Sequence, residues 1–586
     1  VDGDVPNRTE HPLASRRWTR RDALLLSTLA ATALFFTASL WTQPGWFDSH
    51  ETIHQLTRLF VFSEALRGGQ FPVRWADDLM AGWGIPFFNF YGPLAFYVAA
   101  LFHLLGLSLE EAWKTEFVVM TWLAGVGMYG FVRGRAGRAA GMLAALLYQF
   151  APYHALTLFV RGNAAEFAAL SIWPFAFWGL DAALRAVPRW RGPAIPAAAL
   201  AIGALACAHT LTAYMGAWNL AAFAIAGLVI AWRGGGAPRL ARSAVVLGAI
   251  ALAALAVSAF YTLPVVADLP HTNSRVLYER TRFHEHYPTP RQLLWPHWGH
   301  GLSVPGPDDG MDFHLGLALC AGLLAAGVLA ARRAAGCLRP WILAGLIATA
   351  AHLFLMLAIS RPVWSLFPAS AYLQFPWRLL IPATFWASAT VGWAAGAIVR
   401  DRPWTRTRLA VALVLLALPI LGSAPFLKPG TRLYELPAYE SDRLRQFMID
   451  TAEGEYLPRW VQDFPPAPSR RRLVWIEGTG RAELVELASA RYRFETEVPT
   501  DSLVAFETFH FPGWSFRIDG TWTEPFPHGA WGWMACELPA GARELVVAFR
   551  GTTLHRAANA LTAVSILGMI GWLAIAAVHE RRAVRS

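Results

Sequence analysis

Runs of roughly 18 to 22 mostly apolar residues recur along this chain, each long enough to cross a ~30 Å hydrocarbon core as a helix. Lipid offers no hydrogen bonds, so a chain that enters it in such runs folds there as helices. Twelve spans are expected, near 22–42, 116–133, 139–157, 166–184, 194–210, 212–231, 243–262, 314–331, 339–359, 378–398, 407–424 and 556–578. Composition agrees, with 55% of 586 residues hydrophobic and only 15% charged. The chain reads as a mostly α polytopic membrane protein.

Charge fixes the expected orientation. "RRWTRR" precedes the first run, which is long for a signal peptide and has no clear cleavage site, so it reads as an uncleaved span. With that end inside, the alternating loops "RGRAGR" (133–138), "RAVPRWR" (185–191), "RGGGAPRLAR" (233–242), "ARRAAGCLR" (331–339), "VRDRPWTRTR" (399–408) and "HERRAVRS" (579–586) are all basic and cytoplasmic. They account for the net charge of +10, and nucleic acid is not an expected partner. The run 90–107 breaks the alternation and reads as a re-entrant or interfacial helix on the outer side. Four cysteines with no CxxC spacing suggest neither a zinc knuckle nor a disulfide within one domain.

Residues 1–424 then form a transmembrane domain with outer loops 43–115 and 264–313, and 556–586 a last helix with a basic tail. Between them, 425–555 changes character. Alternating stretches such as "RYRFETEV", "SLVAFETF" and "ELVVAF", with Asp519-Gly520 as a hairpin signal, imply an extracytoplasmic β-sandwich. "FPGW" (511–514) suits either a glycan-binding surface or the core of a structural cap.

Polar groups at the mouths of apolar spans usually mark function. Asp48, His50, Glu51 and His54 begin the first outer loop, Arg161 and Glu166 belong to the hairpin at 160–170, His209 stands between two spans, and Arg378 opens another. The orientation puts all of them on one side. His50-Glu51-x-x-His54 has zinc-protease spacing: two imidazoles one helical turn apart and a carboxylate to polarise metal-bound water. No downstream third-ligand pattern follows it. A sugar-transfer reading uses the same face differently. Asp48 would be the base for an acceptor hydroxyl. Arg161, Arg291 and Arg378 would hold a lipid phosphate in guanidinium forks, and Trp295 would stack on a sugar. A third reading is a non-catalytic lipid-linked glycan transporter or assembly protein.

A carboxylate just after the first span and a second acidic site after the third resemble the GT-C superfamily of polytopic glycosyltransferases. "GGQFPVRWADDLMAGWGIPFFNFYGPLAFY" (68–97), "RGNAAEF" (161–167), "LQFPWRLL" (373–380), "EGEYLPRW" (453–460) and "FHFPGWSFRIDG" (509–520) more closely resemble the bacterial and archaeal membrane family labelled 6-pyruvoyl-tetrahydropterin synthase-related, with YfhO-like relatives. The resemblance implies a GT-C-like fold in the cytoplasmic membrane. It also implies a polyprenyl-phosphate-linked sugar donor and a glycan, lipid or protein acceptor. Asp48 becomes the catalytic base and Glu166 the second acidic position, with His209 orienting the acceptor or a metal. Asp48, His50, Glu51 and His54 are candidate ligands for Mn²⁺ or Mg²⁺, or for Zn²⁺ under the protease reading. The soluble synthase in the family label has a different fold, so its activity is not carried over.

Overall fold

The computed structural model describes residues 19–42, 45–187, 192–273, 283–366, 372–399, 405–434 and 456–585. Eight of the described helices are long and apolar enough to cross a membrane. They are Arg20–Leu40, Leu109–Ala136, Ala164–Arg185, Thr210–Val257, Gly336–Leu355, Pro376–Val399, Arg406–Phe426 and Thr553–His579. A ninth span results if Arg138–Gln149 and Pro152–Arg161, which meet at a 40° bend, count as one. By length and composition, the described residues thus fall short of the expected twelve. The runs at 194–210 and 314–331 yield helices of only 15 residues, Ala194–Ala208 and Leu317–Ala331. The runs at 212–231 and 243–262 fall on the two sides of a kink at Gly236, φ 63°, that divides the Thr210–Val257 stretch into two helices, the second run continuing into Ala259–Asp268. Leu94–Leu104, in the 90–107 run, has 11 residues and falls short of the ~20 a crossing needs.

Burial sorts the helices. Ala164–Arg185 and Pro376–Val399 are mostly enclosed, whereas Arg406–Phe426 and Thr553–His579 bury little of their surface. Ala164–Arg185 packs against Leu109–Ala136, Ala194–Ala208 and Thr210–Val257. Phe131, Phe177, Phe223, Phe385 and Trp386 interlock at their centre, ring centroids 4.7–6.2 Å apart. Such edge-to-face and tilted pairs add to the gain from area burial.

Two short strands tie the exit of the first helix to a distant segment. β1 (Trp46–Asp48) pairs antiparallel with β2 (Gly430–Tyr434), with Asp48 opposite Gly430. The next strands run β3 (Leu473–Glu477), β4 (Arg481–Ala488), β5 (Arg491–Glu497), β6 (Ser502–Phe509), β7 (Trp514–Ile518), β8 (Thr521–Thr523), β9 (Phe526–His528), β10 (Trp533–Leu538) and β11 (Glu544–Phe549). They form two antiparallel sheets, β3-β6-β10-β9 and β4-β5-β11-β7-β8. Inward side chains from both sheets, among them Tyr492, Phe506, Trp514, Met534 and Val547, share one core. Asp519 and Gly520 both have positive φ and close the β7–β8 hairpin, Ile518 facing Thr521. Phe511 and Trp514 of "FPGW" are core residues, 1% and 2% exposed.

The β region is docked on the segment that carries Trp75 and Asp77, between the Thr52–Arg67 and Leu94–Leu104 helices. Trp75 inserts between Trp514 and Phe549, at 5.2 and 5.8 Å between centroids. Asp77 accepts hydrogen bonds from Ser489 Oγ (2.9 Å), Ala490 N (2.7 Å) and Tyr492 Oη (2.8 Å).

Candidate functional site

The segment "VRGNAAEF" sets the site. The chain widens into a π-helix over Leu156–Arg161, a form of turn found often at functional positions. Gly162 then adopts the left-handed conformation, φ 63°, that ends the helix. Glycine suits the position, because any Cβ would carry the strain of positive φ and would lie 2.0 Å from Ser49 Oγ and 2.9 Å from Ser49 Cβ, so that Ser49 would have to move. Asn163 caps the next helix, its Oδ1 accepting from Glu166 N at 2.8 Å. Two helix ends meeting over three residues bring the side chains of Arg161 and Glu166 together.

Glu166 is fully buried. Its Oε1 accepts from Arg161 Nη1 and from Tyr153 Oη, the latter at 2.7 Å. Its Oε2 lies 3.7 Å from Arg378 Nε. Arg378 comes from the Pro376–Leu379 turn and donates through Nη1 to Leu373 O (3.1 Å) and Gln374 Oε1 (2.7 Å). Trp377 lies under the Arg161 guanidinium at 4.9 Å, and Phe375 and Phe313 stack on that indole. A buried carboxylate thus sits between two arginines, both also within electrostatic range of the Glu51 carboxylate.

Glu51 joins the group from the other side. His50 N and Glu51 N donate to the carbonyls of Val160 (2.9 Å) and Arg161 (3.0 Å). The Glu51 side chain accepts from Asn163 Nδ2 (2.8 Å) and Gln55 Nε2 (2.7 Å), and Gln55 also donates to Tyr91 Oη (2.9 Å). Burial pushes the Tyr91 phenol above its ordinary range, so it stays protonated. Arg58 lies over the rings of Phe87 and Tyr91, at 4.5 and 5.1 Å. His209 caps the Thr210–Val257 helix, Nδ1 to Thr212 Oγ1 at 2.8 Å, within electrostatic range of Glu166, Arg161 and Arg378. Gly92 packs on the backbone beside it, where a Cβ would come 2.0 Å from Ala208 O.

Of the residues singled out by sequence, Glu51, Arg161, Glu166, His209 and Arg378 are therefore brought together. Asp48 stands at their rim. It is half-buried on β1, leans over Gly430, and among the described residues forms no hydrogen bond or ion pair with this group. Arg291 and Trp295 belong to a separate surface around the Pro290–Leu294 helix; both are exposed, Trp295 by 63%.

The geometry expected for His50-Glu51-x-x-His54 does not form. The helix begins at Thr52, so His50 precedes it and cannot stand one helical turn below His54. Nor do Asp48 and Glu51 share a helical face, since Asp48 is held in a strand. The cause is the competing backbone pairing to β2 and to Val160 and Arg161. His50 Nε2 approaches His300 O at 3.1 Å, and burial holds its imidazole below the ordinary range, hence neutral at pH 7. Among the described residues, no three His, Cys, Asp or Glu side chains gather as a metal ion would require.

Three contributors escaped the sequence reading. Tyr153 and Gln55 look like ordinary residues of apolar or amphipathic helices. Asp312 and His314 form a buried pair, His314 Nδ1 to Asp312 Oδ2 at 2.6 Å, one residue either side of Phe313. The "DFH" spacing was the one signal for that pair.

Residues 88–429 match the family model described as "6-pyruvoyl-tetrahydropterin synthase related domain; membrane protein". No curated protein matches the chain. Among solved structures, the cryo-EM structure of the arabinofuranosyltransferase AftD from Mycobacteria aligns with a TM-score of 0.40 and 17% identity, over 71% of this chain and 27% of AftD. A mutant form of AftD gives a TM-score of 0.38 and 18% identity, over 71% and 29%. The chain thus spans about a quarter of that protein's length.

Proposed function

From the premise that this chain belongs to the 6-pyruvoyl-tetrahydropterin synthase-related family of membrane proteins, we propose that it is an integral-membrane glycosyltransferase of GT-C type. It would move a sugar from a polyprenyl-phosphate carrier to an extracytoplasmic glycan, lipid or protein. The observation that carries this reading is the buried arrangement of Arg161 and Arg378 around Glu166 at one end of the helix bundle. A sugar leaving a lipid phosphate needs cationic donors at the membrane surface, because negative charge grows on the phosphate as the glycosidic bond breaks. Guanidinium groups meet that need with two parallel N–H donors.

Asp48 is the proposed base. A base must be free to take a proton, and Glu166 is already engaged by Arg161 and Tyr153, whereas Asp48 is half-exposed at the rim. It removes the acceptor hydroxyl proton as that oxygen attacks the anomeric carbon, and the lipid phosphate departs with the bonding electrons. Glu51, held by Asn163 and Gln55, orients the acceptor.

The test is purified protein with a radiolabelled polyprenyl-phosphate sugar and membrane extract as acceptor. Wild type transfers label and Asp48→Asn does not. Equal transfer by both removes Asp48 from the mechanism, and no transfer by wild type with any such donor removes the reading itself.

A further inference from the structure

The opposite end of the Ala164–Arg185 helix carries a second polar cluster that the transfer chemistry does not use. A cavity of about 110 Å³ opens there between Leu184, Phe223, Ile230, Ser243 and Trp341, with Arg135, Arg185 and Arg239 around it. Arg135 and Arg185 both pair with Asp181, the latter at 3.0 Å, and the Arg135 guanidinium lies flat on Trp341 at 3.5 Å.

Among the described residues that line the cavity, three arginines face one aspartate, which leaves two positive charges over beside an apolar wall. Arg135 Nε and Arg185 Nε are buried and have no hydrogen-bond partner among the described residues; Asp181 Oδ2 has none either, but it lies 3.0 Å from Arg185 Nη2 in an ion pair. A buried guanidinium N–H without an acceptor is costly, and fixed donors of this kind are what an oxyanion satisfies. The surroundings say which oxyanion. Ile230, which lines the cavity, is 53% exposed on the flank of a span-length apolar helix. On such a flank the neighbouring solvent is acyl chain. A basic pocket between spans with an apolar flank matches a phospholipid, with phosphate on the arginines and chains along the helix.

We propose that this cavity binds the phosphate of an anionic phospholipid headgroup, at the end of the bundle remote from Glu166. The site is independent of the transfer reading and stands or falls separately.

Native mass spectrometry of the full chain, released from mixed vesicles of phosphatidylglycerol and phosphatidylcholine, tests it. Wild type is expected to retain phosphatidylglycerol roughly tenfold over phosphatidylcholine, as two uncompensated charges imply. Arg185→Gln with Arg239→Gln should abolish that preference. Arg239→Gln alone, at an exposed position that leaves the Asp181 pairs intact, should lower it without a change in Tm, which separates ligand loss from misfolding. Displacement of the lipid by millimolar inorganic phosphate supports the same oxyanion site with a soluble occupant. Equal retention of the two lipids by wild type, or an unchanged preference in a folded double variant, overturns the proposal.

Discussion

Arg378 Nε stands 3.7 Å from Glu166 Oε2, too far for a hydrogen bond, and neither atom has a hydrogen-bond partner among the described residues. Arg378 is instead fixed through Nη1 by Leu373 O and Gln374 Oε1. The guanidinium is thus positioned by its own turn and keeps a donor in reserve for a phosphate oxygen. Arg378→Lys keeps the charge but loses the fork and the reserved N–H. We expect donor affinity to fall by roughly 10- to 100-fold, the equivalent of about 1.5–3 kcal/mol for one charged hydrogen bond. Thermal stability should hold, because Arg161 still pairs with Glu166. Titration with a polyprenyl-phosphate sugar, beside a melting curve, reads both effects.

Arg161 differs from Arg378 because its contact with Glu166 is direct. Arg161→Ala strands a fully buried carboxylate whose nearest remaining cation is Arg378. Breaking a buried pair from one side costs about 3–5 kcal/mol. Arg161→Ala is therefore expected to lower Tm sharply, and the double variant Arg161→Ala with Glu166→Ala to recover part of the loss. If the double variant is no more stable than the single, the pair is not the unit described here.

Glu51 and Asp48 should separate by phenotype. Glu51 receives two amide donors, and Glu51→Gln turns one accepting oxygen into a donor that faces Asn163 or Gln55. The expected result is a raised KM for acceptor with a smaller loss in kcat, since a positioning role acts mainly on binding. Asp48→Asn should leave KM near wild type and lower kcat by about 10²–10⁴-fold, the range for loss of a general base. Steady-state kinetics with both variants decides the assignment, and the reverse pattern would exchange the two roles.

Most of the long apolar helices and the gathering of Arg161, Glu166, His209 and Arg378 were legible because run length and Arg-rich loops are one-dimensional signals. The HExxH geometry was misleading for a physical reason. A five-residue pattern says nothing about a strand 382 positions from Asp48, and β2 holds Asp48 out of the helix. Tyr153 and Gln55 were hidden because a neutral polar side chain inside an apolar run resembles core until its partner is known. The "RGGG" segment reads as a connection between two spans, and two helices do meet there at Gly236, though the connection is a kink and not an extended loop. In the β region the Asp519-Gly520 turn was legible from local chemistry alone. The Asp77 and Trp75 contacts that dock the region were not, as they join residues some 400 positions apart.

Gly92 tests the packing of that same segment against the bundle. Its neighbour is backbone, Ala208 O at 2.0 Å from a built Cβ, so no side-chain rotation relieves the contact. Gly92→Ala must push the Phe90–Pro93 segment off His209 and strain the hydrogen bond from Tyr261 Oη to Phe90 O, 2.6 Å. Loss of that bond and the repacking together should cost about 2–4 kcal/mol. Gly106→Ala is the control, because nothing lies within 4 Å of its Cβ position, though its φ of 106° carries a backbone cost of its own. Melting curves should place Gly92→Ala clearly below Gly106→Ala.

His510 gives the β region a pH dependence of predictable sign. Its ring packs edge-on against Trp460 at 4.6 Å, and His271 stacks on the same indole at 5.7 Å. Burial pushes the His510 imidazole down to about 4, and the nearby His271, itself lowered, acts in the same direction. The unfolded chain therefore takes up a proton near pH 6.5 that the folded state refuses until about pH 4. Stability from this group is complete above pH 6.5 and is lost progressively as pH falls toward 4. Thermal unfolding followed by tryptophan fluorescence should show Tm falling across that window, and His510→Gln should flatten the fall while leaving the response above pH 7 unchanged. A fall in Tm that is the same in wild type and His510→Gln would place the titrating group elsewhere.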